Sequence, residues 1–307
     1  MLASLLTALA LQVAPAASAP PPTPAAQSEQ EAVDLGEVTV EGRRLEDMTR
    51  DFVREIAAPA RNRGIARWRD GVCVGVANLQ NDLAQYIVDR VSTVAEDVGL
   101  RPGVPGCTPS VLIVAVADAN AFTPRFVDKR PRLFRVGGAG MDRGRAALEQ
   151  FKQNDLPVRW WIVSAPVDDD SRTIAVRLFG EEAPFISRRG VSSLNTQIVD
   201  DTKRAFIIVD VDKLGDVSTE QLADYLAFVT LAQIDPEADT SGYRSILNVF
   251  DDPEATPTLT DWDKAYLTGL YQAIRTRRNP AASSMEVVSS IVRARRAMDR
   301  AEPDVTD

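Results

Sequence analysis

Leu222, Leu226 and Val229 recur at helical spacing within the run STEQLADYLAFVTLAQID (218–235) and predict a helix with a buried face. Ser218 is placed to cap it, and Gln221 three residues on completes a capping-box pattern. A second helix is predicted over 80–98, where Leu83, Ile87, Val91 and Val94 form an apolar stripe and Gly99 supplies the stop. Further helices are expected over 45–61, with Met48, Phe52 and Ile56 on one face, over 143–153, and over 284–301. The last has Met285, Val288, Ile291 and Val292 on one face, and arginines near its end that suit the helix dipole.

Five runs read as strands: 72–77 (VCVGVA), 111–117 (VLIVAVA), 158–164 (VRWWIVS), 173–178 (TIAVRL) and 204–210 (RAFIIVD). The continuous apolar run at 111–117 fits a strand covered on both faces. Strand, helix and strand across 72–117 predict a parallel βαβ unit. The fold class expected is therefore α/β (α+β): a five-stranded mixed sheet with packed helices and a small C-terminal helical part. Residues 118–142 read as irregular, ending in the glycine cluster 137–140, which lacks the spacing of a nucleotide loop. Asp168, Asp169 and Asp170 read as a solvated turn, because they lack the ligand spacing of a calcium loop.

Before the folded part, residues 1–19 (MLASLLTALALQVAPAASA) have the apolar core and the small-x-small ending of an export signal. Residues 20–44 are expected to be a disordered linker, with a short strand at 37–44 (EVTVEGRR) able to pair with an exposed sheet edge. That strand also resembles the box with which outer-membrane receptors engage the energy-transducing TonB protein. The main domain is then 45–278, followed by a C-terminal helix and tail at 279–307.

Export changes the meaning of the chain's two cysteines. An even pair in an oxidising compartment normally joins, so Cys73 and Cys107 are expected to form a disulfide. At 307 residues and 45% hydrophobic content, the chain is long enough for a substantial core. A net charge of −9 argues against a nucleic-acid partner. No stretch after the signal reaches the run of about 18 apolar residues that spans a bilayer.

The helix at 218–235, the segment Ser245–Asn248 (SILN) and the run 259–271 (LTDWDKAYLTGLY) together resemble the metzincin zinc proteases, in particular their matrixin-like branch. Those enzymes carry HExxHxxGxxH on a helix, then a turn containing Met, then a closing helix. The resemblance places the three zinc-ligand positions on Ala223, Ala227 and Gln233, the general-base position on Asp224, and the Met of the turn on Leu247. The chain contains no histidine, so the usual catalytic zinc sets cannot be assembled from it. What the resemblance implies is a zinc-free frame with neither metal nor other cofactor.

Three functions remain open. One is a periplasmic or secreted non-catalytic module that binds a peptide or an envelope protein. Another is a structural or accessory protein of the cell envelope. The third is a hydrolase in which Asp224 acts with Asp261, Asp263 or Tyr225 as an acid–base pair.

Overall fold

The computed structural model describes residues 35–135, 143–176, 196–277 and 279–301. The expected export signal, the linker up to residue 34 and the glycine cluster lie outside the described residues. The described chain is mixed α/β. Its seven helices are α1 (Leu35–Ile56), α2 (Asn81–Asp97), α3 (Ala119–Lys129), α4 (Gly144–Gln153), α5 (Thr219–Leu231), α6 (Asp261–Gln272) and α7 (Pro280–Ala301). The strands are β1 (Gly71–Val72), β2 (Val74–Ala77), β3 (Arg101–Pro102), β4 (Val111–Val116), β5 (Val158–Asp168) and β6 (Ile198–Asp210).

The main sheet has four strands in the order β2-β4-β6-β5, and β1 pairs with β3 in a separate two-stranded piece. β2, β4 and β6 are parallel to one another, while β5 runs antiparallel to β6. The expected βαβ unit is present as β2, α2 and β4. Side-chain alternation divides the sheet's two faces. Trp160, Ile162, Ala205, Ile207 and Val209 join the larger core, with residues of α1, α2, α5, α6 and α7. Trp161, Val163, Phe206 and Ile208 join a smaller core with α3 and α4.

Several expectations are corrected. Among the described residues, 173–176 form no strand; Ile174 makes only a single bridge, to Val167, and the rest of that run is outside the described residues. The run at 72–77 is interrupted at Cys73, whose carbonyl accepts from the backbone N–H groups of Ser110 and Val111. The segment at 37–44 is helical, not a strand, because α1 starts at Leu35. Two alternating valines carry little strand signal, and the helix is anchored downstream, where Thr49, Phe52, Val53 and Ile56 are buried. Met48 is off that face, at 43% exposed.

Residues 119–129, expected to be irregular, form α3. Asp118 caps it by accepting from Ala121 N at 2.9 Å, and Ala119, Thr123 and Val127 supply a buried face. Pro124 inside the helix hid this pattern. α7 begins at Pro280, four residues earlier than expected; the Asn279 side chain accepts from Ala282 N at 2.8 Å, and proline suits a first helical position. α7 is part of the main core through Val287, Val288, Ile291 and Ala294. Gly269 is the reason it can lie so close to α6: a β-carbon there would run into the backbone of Ile291. Met285, expected on the buried face, is largely exposed.

The cysteine expectation holds. Cys73 and Cys107 are joined, with α-carbons 6.2 Å apart. The bridge ties the break between β1 and β2 to the loop that leads into β4. Among the described residues no helix is long and apolar enough to cross a membrane.

Candidate functional site

β6 feeds its chain through a short turn into α5, and the sequence builds this helix for burial. Every residue from Gln221 to Leu231 is buried. The spacing of Leu222, Leu226 and Val229 suggested one apolar face; packing covers all of them, as a helix apolar around most of its circumference requires. The capping box read from the sequence is formed. Gln221 N donates to Ser218 Oγ at 3.2 Å, and Ser218 N donates to Gln221 Oε1 at 2.8 Å. The Gln221 amide nitrogen also donates to the carbonyls of Pro253 and Thr256.

Ala223 and Ala227 lie one helical turn apart, and both are fully buried in the main core. Gln233 follows the helix end and is also buried. Its side-chain oxygen accepts from Ala66 N at 2.8 Å, and its main-chain carbonyl accepts from Ala58 N at 3.1 Å. The position therefore holds the segment before β1 against the end of α5. Among the described residues no group of three His, Cys, Asp or Glu side chains is placed to hold a metal ion.

Asp224 is 2% exposed. Its Oδ1 accepts from Arg90 Nε on α2, and its Oδ2 accepts from Thr258 Oγ1 at 2.5 Å and from Leu259 N at 2.8 Å. Charge pairing and hydrogen bonding both stabilise this buried carboxylate. It joins α2, α5 and the chain leading into α6.

Asp263 does the same for the next turn. It accepts from Ser245 Oγ at 2.6 Å, Ile246 N at 2.8 Å and Thr260 N at 2.9 Å. Burial pushes its carboxyl above the ordinary range, against the pull of these donors. The turn itself is a single 3-10 turn, Ile246–Asn248. Ile246 fills the core there, and Leu247, expected to take the Met position, is only partly buried. Tyr271 closes the frame, its hydroxyl donating to the Leu231 carbonyl at 2.8 Å.

The groups considered for acid–base work are not brought together. Asp261 is half exposed and pairs with Lys264 and Arg295. Tyr225 is buried between Trp160 and Phe250, edge-on to both, and burial raises its hydroxyl's pKa. The aspartates at 168–170 are not a purely solvated turn. Asp168 is buried and accepts from Ser171 N at 2.7 Å, while Asp169 pairs with Arg69 at 2.9 Å.

Sequence reasoning missed Arg90 and Ser245 as partners. The Thr260-x-x-Asp263 spacing is a readable cap, but nothing in the chain order connects Ser245 to Asp263 or Arg90 to Asp224. Comparison with protein-family models, with curated proteins and with solved structures gives no match.

Proposed function

We propose that this is an exported, non-catalytic protein on a zinc-free, metzincin-like frame, and that it works by holding a peptide or protein partner. One observation carries the non-catalytic part. The carboxylate at the base position, Asp224, is 2% exposed and held by three donors of its own, which ties it into the core instead of presenting it to solvent water. The order of strand β6, helix α5, turn and helix α6 supports the frame, and so do the ties through Asp263 and Tyr271.

The partner is best accommodated at a sheet edge. β5 ends the sheet on one side but is buried along its whole length. β2, at the other end, is partly exposed at Val74, Gly75 and Val76 and exposed at Ala77. An extended peptide adding a strand there would use main-chain groups that the short strand leaves open to pairing.

The test uses the full chain with a panel of extended valine-rich peptides, with and without added zinc. The peptides are expected to remain uncut, and peptide binding is expected to slow hydrogen exchange at 74–77. Cleavage that is lost in Asp224→Asn would favour the hydrolase instead. Protection elsewhere with none at 74–77 would remove β2 as the site.

A further inference from the structure

Segment 62–67, the start of β6 and the junction of α6 with α7 enclose a half-open cavity of about 150 Å³. Among the described residues, four arginines line it, Arg63, Arg67, Arg275 and Arg277, against a single aspartate, Asp200. Three of these arginines have carboxylates. Arg63 pairs with Asp200 at 2.5 Å, Arg275 with Asp201, and Arg277 with Glu286. Arg67 differs. It is 6% exposed, and among the described residues its side chain makes one hydrogen bond, to a neutral group, the carbonyl of Ala273. No carboxylate among the described residues lies within ion-pair distance of it.

A guanidinium carries five donors and stays charged in proteins. Burying one without an anion is unfavourable unless something else compensates the charge. Burial, and Arg275 beside it, lower the Arg67 pKa to about 10, against a smaller opposing pull from Tyr271 and Asp169. The backbone holds the group in place. Arg67 N donates to Asp200 O at 3.4 Å, and Thr202 N donates to Arg67 O at 3.0 Å. The N-terminus of the 22-residue helix α7 borders the same cavity at Pro280 and Ser283, adding a partial positive charge. The rest of the wall is mixed: Ile65, Leu270, Ile274 and Val287 form an apolar part, and Asn62, Thr196, Asn279 and Ser283 a polar one.

We propose that this cavity is a binding site for a carboxylate that carries a small apolar group, with Arg67 as its charge partner. The apolar part of the wall favours such an acid over a bare phosphate, which would leave those four side chains without a partner. The site stands apart from the β2 edge, and peptide binding there has no bearing on it.

The experiment measures the melting temperature of the full chain at fixed ionic strength, with chloride replaced stepwise by propionate, benzoate or phosphate. Propionate and benzoate are expected to raise it in a saturable way. Arg67→Gln is expected to weaken that binding by about tenfold or more, the usual loss for a hydrogen-bonded charge. Ile274, 48% exposed at the rim, gives a second variant that leaves the core alone. Ile274→Trp is expected to block the carboxylate response even if Arg67→Gln does not fold. An apolar tripeptide with a free C-terminus, tested beside its amide, shows whether a peptide end also supplies the carboxylate. Stabilisation by free acids alone, or by the free tripeptide as well, supports the site. It is overturned if carboxylates have no effect, if phosphate alone acts, or if Ile274→Trp responds like the wild type.

Discussion

The Tyr271 hydroxyl donates to the main-chain carbonyl of Leu231 at 2.8 Å, so the end of α6 is fastened to the end of α5 across 40 residues. The carbonyls of a helix's last turn have no partner within the helix, and here a partly buried phenol supplies one. Burial holds that phenol well above its ordinary pKa, so it remains a donor at any ordinary pH.

Tyr271→Phe removes the donor and keeps the ring. The expected loss is about 1–2 kcal/mol, because the carbonyl stays buried without its partner. Urea unfolding of the two proteins measures it. An unchanged midpoint would mean that water replaces the hydroxyl at no cost.

The triple substitution Ala223→His, Ala227→His, Gln233→His is expected to destabilise the protein rather than restore a protease. Both alanines are fully buried, and an imidazole at either overfills the core by about 1–3 kcal/mol. Losing Gln233 also takes the acceptor from Ala66 N. Thermal unfolding with and without zinc, together with a peptide-hydrolysis assay, tests this. Tight zinc binding at wild-type stability would show that the site is open and preformed.

Reducing the Cys73–Cys107 bridge, or replacing both residues with serine, is expected to lower stability by about 2–4 kcal/mol. Intact mass with and without reductant establishes the bond, and denaturant unfolding gives its contribution. Two alkylatable thiols in unreduced protein would refute the bridge.

Asp201 sets a pH dependence whose sign is fixed by its neighbours. Burial alone would raise its carboxyl, but Arg69, Arg275 and Lys203 outweigh that and hold it below the usual range. A depressed folded value stabilises the protein above the unfolded pKa of about 3.9, and the contribution is lost as pH falls through the folded value. Asp201→Asn is therefore expected to flatten the fall in stability below about pH 4. Asp200 shifts the other way, raised by burial against the pull of Arg63, so Asp200→Asn should change the slope in the opposite sense. Acid titration of the melting temperature distinguishes them.

What could be read along the chain was whatever depends on near neighbours. Helical spacing located α2, α4 and α5, and the Ser218–Gln221 box marked where α5 begins, because these features arise within a few residues. The absence of histidine by itself rules out the usual zinc sets. An export signal together with an even pair of cysteines predicts the bridge.

The tertiary structure decided whatever depends on distant partners. Periodicity marks one apolar face on α5, and only packing shows that none of its faces is left open. Asp224 and Asp263 look like spare acids on helices until Arg90 and Ser245, 134 and 18 residues away, are found against them. The valines of 37–44 suggest a strand, but the buried downstream turns of α1 carry the helix back through them. Arg67 is one arginine among many in the sequence. It becomes a buried charge with a neutral partner only when β6 and the end of α6 close around it, since burial and missing counter-charge are properties of three-dimensional surroundings.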